Sequence, residues 1–171
     1  MENKFTILEA NLTHRGYKVY IGILFLIAIL ITGCSYITSI YDSDEQISST
    51  SNAYNLTNVT QAIEGEKFTG EIEKFEGMDT IWSYEATEDM ELEMTYLLNA
   101  SKGRVKLVLI SPDGSLTNVV ERSENATFTD YATSNLQIKK GTNRLKMVAG
   151  KDCKVKFDIT IPCGKFKKIG M

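Results

Sequence analysis

The sequence predicts an all-β fold, an antiparallel two-sheet sandwich of about eight strands in jelly-roll or immunoglobulin-like order. Three observations carry this. From Lys67 onward apolar residues recur with a period of two rather than 3.6. Turn signals follow one another at roughly 8–12 residues, the spacing of small sandwiches. One run, 105–110, becomes apolar on both faces near its end, as a central strand does.

Residues 68–75 and 79–85 supply the first two strands. The alternation breaks between Ile72 and Phe75, which predicts a bulge or bend. Met90, Leu92, Met94, Tyr96 and Leu98 then alternate with Glu91, Glu93, Thr95 and Asn99, giving one apolar and one polar face. After a short turn at 100–103, Val105, Leu107 and Leu109 begin the central strand. Ser111-Pro112-Asp113-Gly114 is a turn with a mechanism: proline presets one dihedral and glycine accepts a positive one. Strands follow at 115–122 and 135–139, then a turn at 140–143. Residues 144–149 form a strand with Leu145, Met147 and Ala149 inward. Gly150-Lys151-Asp152 reads as a turn into the strand 153–161, where Cys153, Val155, Phe157, Ile159 and Ile161 share one face. Lys165, Lys167 and Lys168 fall in a basic tail that reads as a frayed, soluble end.

The first 65 residues are organised differently. Val19 to Tyr41 is an uncharged run of 23 residues, and a membrane-spanning helix needs ~20. Ile21 to Ile31 also fits the apolar core of a signal peptide, and Ile31-Thr32-Gly33-Cys34 puts a small residue directly before a cysteine. That is the pattern cut by a lipoprotein-processing peptidase, with Cys34 left as the lipid-modified first residue. The alternative is a retained helix at 19–41. Lys4, Arg15 and Lys18 precede the run, and Asp42, Asp44 and Glu45 follow it. Basic residues stay on the cytoplasmic side, so both readings place the remainder outside the cell, at the extracellular face of the membrane. Two acyl chains on Cys34 give stable anchoring where one is marginal. The organisation expected is a signal peptide or anchor helix at 1–33, a disordered polar tether at 34–65, and the β-sandwich domain at 66–171. Residues 41–66 are rich in Ser, Thr, Asn and Asp, with scattered apolar residues, hence the tether.

Composition excludes several function classes. After residue 34 there are 16 lysines and arginines against 20 acids and no basic stripe, which argues against nucleic acid as a partner. The single histidine is His14, ahead of the apolar run. The external domain therefore has no Ser-His-Asp or Cys-His arrangement and lacks the usual ligand of catalytic zinc. Neither a catalytic residue nor a cofactor is expected. Glu71 with Glu73, and Glu91 with Glu93, sit at i, i+2 on outward strand faces and read as solvated carboxylates rather than a glycosidase pair. Cys153 and Cys163 invite a disulfide, but one continuous strand between them would hold them roughly 30 Å apart, against the ~7 Å a disulfide allows.

The one candidate ligand platform is Trp82 with Tyr84, two aromatics on one face of a strand, able to stack on a sugar ring. The competing reading makes Trp82 core. The chain is thus expected to be a non-catalytic binding or accessory module whose partner is an envelope glycan or protein, with a purely structural envelope role as the alternative.

The Ile31-Thr32-Gly33-Cys34 box, the polar segment and the β domain together resemble small lipoproteins of Firmicutes-type bacteria. Asp79 to Tyr84, Leu107 to Gly114 and Gly141 to Lys146 carry the likeness within the domain. The resemblance implies a lipid-anchored surface protein and no assigned active site.

Overall fold

The structure, a computed structural model, describes residues 40–125 and 127–171. Cys34 lies outside the described residues. So does the apolar run up to residue 39; its last two residues, Ile40 and Tyr41, are described and are buried in the domain. Among the described residues no helix is long and apolar enough to cross a membrane.

Eight antiparallel strands form one sheet bent into an open sandwich. They are β1 (Ala53–Glu64), β2 (Lys67–Ala86), β3 (Met90–Lys102), β4 (Val105–Ile110), β5 (Leu116–Arg122), β6 (Ala132–Ile138), β7 (Gly141–Thr160) and β8 (Lys165–Phe166). The two 20-residue strands, β2 and β7, pair with each other and run through both layers. The first layer has the order β1-β2-β7-β3-β6. The second places β8 beside the C-terminal half of β2, and β4 with β5 beside the N-terminal half of β7.

The expected all-β antiparallel sandwich is the fold observed, but its strands divide differently. Residues 68–75 and 79–85 belong to one strand, as do 144–149 and 153–160. The ladder survives each junction because the extra residues bulge instead of turning. Register shifts occur at Ile72/Phe75, where the broken alternation predicts one, at Phe75/Gly77 and at Thr80/Trp82. Gly77 has φ +105, and a Cβ there would lie 2.1 Å from the carbonyl oxygen of Ala53, so only glycine serves at this bend. On β7, beyond Ala149, which pairs with Gly77, Asp152 takes φ +51 and the strand continues into Cys153.

The two further strands come from segments read as unstructured. The tether expected at 34–65 is a correction: its described part holds a 3-10 turn (Ile40–Asp42), the short helix α1 (Asp44–Ser48) and edge strand β1. The basic tail is the other. It forms β8, and Ile169 beyond it is buried, its backbone N–H and C=O both bonded to the side chain of Gln61 at 3.0 and 2.9 Å.

The main core lies between the layers, where Phe68, Ile72, Val155, Phe157 and Leu98 face Trp82, Leu107, Leu145 and Met147. A second, smaller cluster covers the outside of the second layer. There Ile40, Tyr41 and Ile47 pack on Met78, Val108 and Val148. This explains why 105–110 is apolar on both faces: β4 has the sandwich core on one side and the segment 40–47 on the other. Burial of such side chains stabilises by roughly 1.5–3 kcal/mol each.

Candidate functional site

The Trp82–Tyr84 platform does not form. Trp82 is 1% exposed, its indole N–H donates to the carbonyl of Cys163 at 2.9 Å, and Gly164 lies close against the ring. A Cβ at Gly164 would be 2.5 Å from the indole, so the glycine is required by this contact. The cause is the bulge at Ile81, which turns Trp82 into the sandwich, opposite Leu145. Tyr84 is half-buried with its ring 6.1 Å from that of Trp82 and tilted 35°. It borders a shallow depression with Ser83, Glu85 and Lys165, but no second exposed aromatic joins it. The two cysteines are free, Cys153 buried and Cys163 exposed. Burial pushes the Cys153 thiol up to about 12, so it stays protonated.

The structure instead assembles a site on the outward face of the first layer. Register fixes it. Thr60, Glu71, Lys156 and Asn99 are cross-strand neighbours on β1, β2, β7 and β3. Two residues along each strand, on the same face, Ala62, Thr69, Asp158 and Leu97 form a parallel file. Four strands at ~4.8 Å spacing make each file roughly 14 Å long. One file is entirely hydrogen-bonding, and the other mixes small or apolar residues with a carboxylate. Their inward neighbours, Phe68, Ile72, Val155 and Phe157, are core, which fixes the outward direction of both files.

The loop residues 127–131 close one side. Asn99 holds them through paired bonds to the backbone of Phe128, donating to its carbonyl at 3.0 Å and accepting from its N–H at 2.7 Å. The Arg122 guanidinium lies 4.5 Å from the centroid of the Phe128 ring. This places two exposed aromatics at the face, Phe128 at 46% and Tyr131 at 54% exposure. Tyr131 borders a depression of about 460 Å³ whose floor includes Thr69, Leu97 and Asp158. Two further depressions adjoin it, about 560 and 240 Å³, and all three share Glu71.

Charges here are internally paired. Lys67 Nζ lies 2.9 Å from Asp158 Oδ2, and the Tyr131 hydroxyl donates to the same oxygen at 2.7 Å. That carboxylate raises the pKa of both Tyr131 and Lys67, keeping the phenol protonated and the amine charged at neutral pH. Lys154 donates to Glu73 at 2.7 Å and lies 3.9 Å from Glu71, so one lysine sits against both acids of the first pair. Glu91, of the second pair, accepts from Gln137. Glu71 shares its depression with Asp158, but that carboxylate is engaged by Lys67 and the Tyr131 hydroxyl. Among the described residues no cluster of His, Cys, Asp or Glu is arranged to hold a metal.

Sequence reasoning missed Phe128 and Tyr131. The available signal was two aromatics set among Thr, Asp, Ala and Ser in the span between two strands, where no core position calls for them.

No protein-family model matches the chain, and no curated protein matches it. Solved structures do. One is a substituted family 29 carbohydrate binding module complexed with mannohexaose: 11% identity, 66% of this chain and 82% of that chain, TM-score 0.35. Another is TmCBM61 in complex with β-1,4-galactotriose: 13% identity, 66% and 88% coverage, TM-score 0.37. A third is a family 29 module complexed with cellulohexaose: 10% identity, 66% and 93% coverage, TM-score 0.31.

Proposed function

We propose that this chain is a non-catalytic glycan-binding module held at the extracellular face of the cell membrane, with a diacylated Cys34 as its anchor. The observation that carries the binding role is the outward face of the first layer. A file of hydrogen-bonding side chains lies beside a shallow floor, with the exposed ring of Tyr131 at its margin. A sugar presents hydroxyls around its rim and C–H groups on its faces, so it needs polar side chains and an apolar or aromatic surface side by side. The paired charges suit a neutral polymer better than an anionic one, since no net positive field is presented. The anchor rests on Ile31-Thr32-Gly33-Cys34 and on the basic residues that precede it.

Retention on insoluble cell-envelope polysaccharide tests the binding role. Thr69→Trp fills the floor from an outward position and leaves the core untouched. The expected result is a loss of at least about tenfold in retention, near 1.4 kcal/mol, with unchanged thermal unfolding. Equal retention by the variant removes the face from consideration. Mass spectrometry of the mature N-terminus tests the anchor: a diacylglyceryl Cys34 is expected, and an intact Met1 refutes cleavage there.

A further inference from the structure

The carboxylate in the middle of this face is engaged by the protein itself. Asp158 Oδ2 accepts from the Tyr131 hydroxyl at 2.7 Å and from Lys67 at 2.9 Å. Asp158 Oδ1 is buried and has no hydrogen-bond partner. A carboxylate has two acceptor oxygens, and one left unsatisfied under a protein surface calls for an explanation. The phenol bonded to the other oxygen of this carboxylate is not firmly packed. Tyr131 lies outside the strands and the residue is 54% exposed. The loop that carries it is held independently, by Asn99 on the Phe128 backbone and by Arg122 over the Phe128 ring. The Tyr131 ring can therefore rotate about its own side-chain bonds while the loop stays in place.

The geometry points to a displaceable internal ligand: Tyr131 holds the place on Asp158 that a vicinal diol of a neutral sugar takes on binding, and the freed ring turns onto the sugar's C–H face. This rests on the reading of the face as a glycan site, and it names the group in the glycan that is recognised. Two hydroxyls on adjacent ring carbons supply two donors to the two oxygens of one carboxylate. Such charge-assisted bonds are roughly twice as strong as neutral ones, so replacing one phenol donor by two sugar donors favours the complex. Lys67 stays on Oδ2 throughout.

Calorimetry on the full-length protein in detergent tests this, with β-1,4-linked hexasaccharides of glucose, mannose and galactose as probes. Tyr131→Phe keeps the ring and removes the competing hydroxyl. It is expected to bind whichever hexasaccharide the unaltered protein binds about tenfold more tightly, the size of one hydrogen bond to a charged group. Asp158→Asn is expected to weaken binding at least as much. If the unaltered protein binds a hexasaccharide and Tyr131→Phe binds it equally or more weakly, displacement is overturned while the glycan reading stands. If the unaltered protein binds none of the three and is not retained on envelope polysaccharide, the glycan reading falls and displacement with it. Should Asp158→Asn fail to fold, Tyr131→Phe still decides, because its hydroxyl has no part in the core.

Discussion

Lys146 shows how a single residue can tie two segments together at an energetic cost. It is fully buried on the outside of the second layer. Its ammonium donates to the carbonyls of Ser49 at 2.9 Å and Ser51 at 2.7 Å, and Met78 Sδ lies 3.7 Å away. Burial, with the neighbouring charge of Arg144, lowers its pKa to about 8, and the more distant carboxylate of Asp79 opposes this only in part. The sign follows from linkage. Below about pH 8 both folded and unfolded chains carry the proton, and the native state bears the full cost of burying it. Between about 8 and the unfolded value of 10.5 the unfolded chain holds the proton and the folded one releases it, so stability rises with pH. Lys146→Met keeps the length and removes the titration. The unfolding free energy of the unaltered protein is expected to gain about 2 kcal/mol on the variant between pH 8 and about pH 9.5, measured by urea unfolding. A pH-independent difference would show that the amine is not titrating in that window. At this scale the sequence is least legible. Nothing in the alternation of 144–149 tells that Lys146, on the outward phase, is covered, because its cover comes from residues almost a hundred positions earlier. Phe128 and Tyr131 were hidden for the same kind of reason, since a loop has no periodicity to read.

At the scale of elements, the segment 40–52 is the piece whose role changes most. Tyr41 is its pin. The ring is buried between the guanidinium of Arg104, 3.9 Å from its centroid, and the ammonium of Lys106 at 4.7 Å. Its hydroxyl donates to Glu121 on β5 at 2.7 Å. Arg104 also reaches Asp42 at 2.6 Å, and Arg144 donates to the carbonyls of Ser48 and Ser49. Loss of the ring leaves a cavity over Val108 and Val148. Tyr41→Ala is therefore expected to cost about 3 kcal/mol in urea unfolding, and Tyr41→Phe only about 1–2 for the bond to Glu121. Equal costs would place the stabilisation in the hydroxyl rather than in the packing. The segment looked like a tether because Ile40, Tyr41 and Ile47 are few and set among polar residues. The legible sign lay elsewhere, in the outward apolar residues Met78, Val108 and Val148, which no face of a two-layer sandwich explains. Strand β1 was obscured by Asn58, whose φ of +52 breaks the alternation between Leu56 and Val59.

For the whole molecule, these contacts move the domain boundary. A fragment 40–171 is expected to fold cooperatively. One of 66–171 loses β1 and the cover of the second layer, baring Met78, Val108, Val148 and an edge of β2, and is expected to be unfolded or aggregated. Circular dichroism and size exclusion on the two fragments check this, and a monomeric, folded 66–171 would restore the original boundary. The fold class was legible because apolar alternation holds within the stretches on either side of each bulge. The division into strands was not, because Gly77 and Gly150-Lys151-Asp152 have the composition of turns while the backbone carries the ladder through them. The outward files of the first layer were visible as polar phases of separate strands, but only the pairing of β1, β2, β7 and β3 sets them side by side.

The ribbon of β2 and β7 also has a consequence for the order of events in folding. Each layer contains half of both strands, and their partners lie some 55 to 93 residues apart, from Ala86 with Gly141 to Lys67 with Thr160. Neither layer can close until most of the domain has been synthesised, and loop closure over such distances slows the search. A partly synthesised chain therefore holds no half-built sandwich. Once the ribbon zips, both layers gain their central strands in one step.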